Sequence, residues 1–200
     1  MKLALRAGWT LLSSIGAALV IATASLSSGC SSAVEAPVAP NANLPKWEAE
    51  MRELYPDQID PAVLGLMAPR PASRADRVLW TRATNADVVG RASVTTLDSS
   101  RRGRAGDLTY ALTVTFDDPP LARPRVDRRH FQLTIDPTNQ SYGMVNVLGD
   151  RIKERKFVAV VKQFAGPDDQ IDVHFYLYPV SAGFEEVIQE AVAVEEVQDQ

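Results

Sequence analysis

Ile171-Asp172-Val173-His174-Phe175-Tyr176-Leu177-Tyr178-Pro179 alternates apolar and more polar residues along its whole length. Side chains on a strand point to opposite faces with a period of two. Ile171, Val173, Phe175 and Leu177 therefore line a core-facing side, while Asp172, His174 and Tyr176 form a polar row on a wetter one. Tyr110, Leu112, Val114 and Phe116 alternate with Thr109, Ala111, Thr113 and Thr115 in the same way. Phe157-Val158-Ala159-Val160-Val161 is apolar on both sides, the mark of a central strand.

Working outward, short runs rich in Thr, Val, Phe and Tyr, as pleated surfaces favour, predict strands at Val78–Thr84, Val88–Leu97, Leu108–Phe116, Phe131–Ile135, Tyr142–Leu148, Phe157–Phe164 and Ile171–Pro179. Two turns fit antiparallel pairing. Asp136-Pro137-Thr138-Asn139 has Pro at the second position of a type I turn and would join the Phe131 and Tyr142 strands. Gly166-Pro167-Asp168-Asp169 would join the Phe157 and Ile171 strands. About seven short strands with such turns read as a mainly β domain, an antiparallel β-sandwich spanning residues 77–197. Residues 45–68 read as a short helical region. Trp47, Met51 and Leu54 share a face at i, i+4, i+7, Pro56 ends the first helix, and Asp60-Pro61 opens a second through about Met67. After the strands, Ser181 can cap a helix with Phe184, Val187, Ile188 and Ala191 on its apolar face.

The chain has 200 residues, 46% hydrophobic and 23% charged, which excludes wholesale disorder. Its single cysteine cannot build a disulfide framework, and a net charge of −4 argues against a nucleic-acid binder. Residues 1–29 have the parts of a secretory signal: Lys2 and Arg6 in front, an uncharged apolar or small stretch from Gly8 to Leu26, and small residues before Cys30. Leu26-Ser27-Ser28-Gly29-Cys30 resembles the lipobox of bacterial lipoproteins, with its Leu one place earlier than the family prefers. The resemblance covers residues 1–30. It implies cleavage before Cys30, lipidation of Cys30, and anchoring in the bacterial cell envelope without a spanning segment; Ser31 in place of Asp implies the outer membrane. Residues 30–44 then hold the lipidated Cys and a small, Pro-bearing, flexible tether. Phe157–Val161 is also similar to a core strand of small sandwich lipoproteins that tether secretion machinery, a likeness that assigns no residue a role.

Charge is segregated. Nine acids and no Lys or Arg lie from Gln163 onward. Arg101, Arg102 and Arg104 cluster in one loop, and Arg123, Arg125, Arg128 and Arg129 in a second, Pro-bearing one. These seven arginines are candidates for contact with an anionic envelope component, each adding roughly 1 kcal/mol near an anionic surface. The competing readings are a plain solvated surface and an internal match to the acidic C-terminal helix.

Motifs for catalysis are sparse. The chain has no G-x-S-x-G, no G-x-x-x-x-G-K, no G-x-G-x-x-G and no H-E-x-x-H. Its histidines are His130, at a strand start, and His174. Asp172, His174 and Tyr176 share a strand face, which is compatible with acid–base work or with an ordinary solvated face. Asp117-Asp118 and Asp168-Asp169 sit in turns without calcium-loop spacing. No catalytic residue, metal site or cofactor is assigned. The expectation is a lipid-anchored, non-catalytic scaffold, docking or assembly module, whose partners are the membrane and an envelope protein. The alternatives are an anionic glycan or lipid binder acting through the Arg loops, and a hydrolase using His174 with Asp172.

Overall fold

The computed structural model describes residues 43–102, 107–118, 120–122, 125–153 and 155–198. The signal, Cys30, most of the tether, Arg104 and Arg123 lie outside the described residues. The fold is mainly β, built on a single mixed sheet with helices before, between and after its strands. Its strands are β1 (Gln58–Ile59), β2 (Val88–Arg102), β3 (Asp107–Phe116), β4 (His130–Ile135), β5 (Lys156–Ala165) and β6 (Ile171–Pro179), in spatial order β1-β6-β5-β2-β3-β4. Only β1 is parallel to its neighbour, with Gln58 opposite Tyr176; every other pairing is antiparallel. Phe157–Val161 is buried on both sides in β5, between β6 and β2, as its doubly apolar pattern requires.

The expected second sheet of a sandwich is replaced by helices. Val78–Thr84 lies in helix α2 (Arg77–Asn85), and Tyr142–Leu148 lies in helix α3 (Tyr142–Ile152). In α2, the Asp76 carboxylate accepts from the amides of Val78 (3.1 Å) and Leu79 (3.0 Å). That cap meets donors a helix start leaves open. Leu79 and Ala83, four apart, then point into the core. In α3, Val145, Gly149 and Ile152 are buried at i, i+4, i+7. The turn at Asp136–Asn139 forms, with the Asn139 amide on the Asp136 carbonyl at 3.0 Å, but it leads β4 into α3. The Gly166 turn does join β5 to β6.

The helices cover both faces of the sheet. Val145 and Ile152 of α3, with Val63 and Leu64 of a 3-10 turn (Pro61–Leu64), pack on the face carrying Leu112, Val114, Phe157 and Phe175. The other face carries Val89, Val158, Val160, Phe164 and Tyr178. It is covered by α2, by helix α1 (Ala49–Leu54) and by helix α4 (Ala182–Gln198), which buries Phe184, Val187, Ile188 and Ala191. The acids of α4 meet arginines from three segments: Arg91 grips Glu185 through two bonds of 2.8 and 2.6 Å, Arg74 meets Glu190 at 2.8 Å, and Arg125 meets Glu195 at 2.9 Å. Arg125 lies beside the acid-rich end of the helix, where the dipole is negative and cations are favoured.

Gly143, in the first turn of α3, is exposed, and a Cβ built on it meets nothing within 4 Å. Alanine loses less backbone freedom on folding. Gly143→Ala should therefore stabilise the protein by about 0.5–1 kcal/mol, read as a rise of roughly 1–4 °C in Tm. An unchanged or lowered Tm would show that this turn needs glycine.

Candidate polar cleft

An open cleft of about 810 Å³ lies where the first half of β6, the outer strand β4 and the N-terminal segment meet. Its geometry starts with the two-residue length of β1, which pairs with β6 only at Tyr176 and Leu177. The Phe175 amide thus lacks a strand partner on that side. Asp57 supplies one: its Oδ1 accepts from the Phe175 amide at 3.1 Å, and its Oδ2 meets His174 Nδ1 at 2.7 Å. To fold back onto β6, Asp57 takes a left-handed backbone with φ of 55°. Non-glycine residues adopt that region at a cost, and Asp and Asn tolerate it best. Burial raises the Asp57 carboxyl above the ordinary range, and the bond from His174 opposes the rise.

Trp47 completes the wall. The Ala165 amide donates to the Pro45 carbonyl at 2.9 Å, and Lys46 bridges in parallel to Ala165. This extended pairing takes the place of the helical start expected at Pro45, and α1 begins only at Ala49. It sets the Trp47 indole on the His174 ring, with centroids 3.5 Å apart and planes at 16°. Arg52 sits over the indole at 4.8 Å, and the Phe164 edge meets the imidazole at 5.5 Å. His174 is only 8% exposed, and its Nε2 is buried with no hydrogen-bond partner among the described residues.

The polar row on β6 is therefore not the wet face its alternation suggests. Tyr178 is buried and Tyr176 half-buried under Arg82, whose guanidinium lies 4.0 Å from the Tyr176 ring. Nor does His174 pair with Asp172. The Asp172 carboxylate packs over Gly166, so close that a Cβ there would meet it at 2.8 Å. Sequence reasoning missed Asp57 as the partner because it lies 117 residues away, in a loop with no motif. Trp47 was legible only as one face of a short helix.

The described arginines of the second loop, Arg125, Arg128 and Arg129, are bound internally. Arg125 also donates to the Thr84 carbonyl at 2.9 Å, and Arg129 meets Asp118 at 3.0 Å. Arg128 donates to the His130 carbonyl at 2.8 Å and reaches the cleft wall. In the first loop, Arg101 is exposed near the end of β2, next to Arg102 in the same strand. The loops do not converge on one site among the described residues. His130 pairs with Thr115 at 3.0 Å. Among the described residues no group of three His, Cys, Asp or Glu side chains is placed to hold a metal ion, and no helix is long and apolar enough to cross a membrane.

No family model, curated protein or solved structure matches the chain.

Proposed function

We propose that the protein is a lipid-anchored module of the bacterial envelope, held at the outer membrane through Cys30, which docks a partner at the polar cleft and carries out no chemistry there. One observation carries this reading: the segment that follows the tether is knitted into the cleft wall, through Pro45 and Lys46 on Ala165 and Trp47 on His174. Anchor and cleft are thereby joined through one short stretch of chain, so an anchored domain brings its cleft to the membrane's neighbourhood at high effective concentration. A non-catalytic role is supported by His174. A general base must reach the proton it abstracts, yet Nδ1 is engaged by Asp57 and Nε2 is buried.

Two measurements test the proposal. Cys30→Ser should abolish incorporation of labelled fatty acid and move the protein out of the membrane fraction. Continued membrane association would refute the anchor. A photo-crosslinker at Gln132, exposed in the cleft, should give a discrete envelope adduct that the same group at Glu186, exposed on α4, does not. Identical adducts at both positions would refute docking at the cleft.

A further inference from the structure

We propose that the cleft is a glycan site, one that takes an uncharged, hydroxyl-rich oligosaccharide. The inference rests on the reading of the cleft as the docking face and names its ligand. A sugar hydroxyl donates and accepts at once, so its complement is a set of groups offering both functions at short spacing. The cleft wall offers Gln132 and Thr134 on β4 and Gln140 on the turn that follows, beside a Thr138 hydroxyl that donates to the Asp136 carboxylate at 2.6 Å and keeps its acceptor function. Neither the Gln132 nor the Gln140 amide bonds another described residue, and both side chains are exposed. Strand β4 ends the sheet order, and the side chains of its exposed face, Gln132 and Thr134, line this space.

Charge argues for the same ligand class. Asp136 and Asp172 on one side of the ledger stand against Arg52 and Arg128 on the other, with Asp57 engaged by His174. A site for phosphate or an anionic headgroup concentrates cations, whereas this lining is mixed. A peptide partner needs apolar or aromatic anchors seated in pockets. The indole that lines this cleft has one face on His174 and the Arg52 guanidinium over its ring, so neither a peptide side chain nor a sugar ring can stack on it freely. What remains for recognition is a rim of amides, hydroxyls and carboxylates, which reads hydroxyl groups.

The test is calorimetric titration of the full-length chain in detergent with two tetrasaccharides, β-1,4-linked N-acetylglucosamine and maltotetraose. At least one should bind. The exposed pair Gln132→Ala/Gln140→Ala should weaken that binding by about tenfold or more, the equivalent of two neutral hydrogen bonds, with an unchanged Tm. Absence of binding to both sugars at millimolar concentration overturns the proposal, as does binding that the double variant leaves unchanged. Binding of phosphatidylglycerol vesicles that competes at the cleft and is lost in Arg128→Ala, with no sugar bound, overturns it in favour of an anionic ligand. If the Gln132 crosslinker captures a cleft-specific envelope protein while neither sugar binds, docking stands and the glycan assignment falls. If neither occurs, both fall.

Discussion

Arg82→Met should cost about 2–3 kcal/mol of folding stability, because it strands the buried Tyr178 hydroxyl and two part-buried carbonyls together. Arg82 is 5% exposed and has no carboxylate partner among the described residues. Its Nε donates to the Leu54 carbonyl, one terminal nitrogen donates to the Tyr178 hydroxyl, and the other reaches the Glu53 carbonyl at 3.5 Å. The two carbonyls belong to the end of α1, whose last C=O groups have no partner within the helix. The guanidinium fork is the cap of α1, reaching from α2 past the edge of β6. Replacing a buried ion by an apolar side chain is often harmless when both partners go together. Here the acceptors stay behind, so the apolar replacement leaves them orphaned.

Arg82→Lys should fall between wild type and Met, since an ammonium cannot reach all three acceptors in a planar fork. Tyr178→Phe should cost about 1.5–2 kcal/mol, because it leaves a buried charged donor short of one acceptor. The series is read from urea midpoints at constant m. A neutral Arg82→Met would show that α1 contributes little to the folded state. The same variant should free the helix that follows Trp47, so the Trp47 environment is expected to change before global unfolding.

The strands were readable where one face is buried and the other is not, as in β3 and β4, because period two survives there unbroken. Val78–Thr84 and Tyr142–Leu148 defeat that reading for a physical reason. Both have strand-like composition, but local hydrogen bonds and a four-residue burial repeat decide the outcome. Asp76 caps one helix, and Val145, Gly149 and Ile152 give the other a buried stripe. The tertiary surface that rewards a helix there leaves no mark in the local pattern. β1 escaped notice because two residues leave no period at all. Of the site, His174 was legible as a candidate and Asp172 was the natural partner by proximity along the strand. Asp57 became its partner because a short β1 leaves the Phe175 amide open, a consequence of sheet geometry and not of any local pattern. The charge asymmetry was fully visible, whereas its main use, the match of Arg74, Arg91 and Arg125 to α4, depends on the packing of α4.

Substitutions at Asp57 should rank Asn as mildest, then Gly, then Ala, an order that composition alone would not give. Alanine loses the acceptor for the Phe175 amide and the partner of His174, and it must hold φ near 55°. Together these should cost about 3 kcal/mol. Glycine loses the same bonds but occupies the left-handed region freely, which recovers about 1 kcal/mol. Asparagine tolerates that backbone, keeps a carbonyl oxygen for the Phe175 amide and offers its amide nitrogen to His174 in the other tautomer, so its cost should be near 1 kcal/mol. The pH profile adds an independent check. Because burial raises its carboxyl, Asp57 binds a proton more tightly in the folded state than in the unfolded one. Its contribution to stability is therefore full below its unfolded value of about 4 and declines as pH rises through the higher folded value. Asp57→Asn removes that decline, so its urea midpoint should depend less on pH across this window than that of the wild type. Parallel profiles, or an asparagine variant less stable than alanine, would show that Asp57 does not hold the cleft wall through its carboxylate.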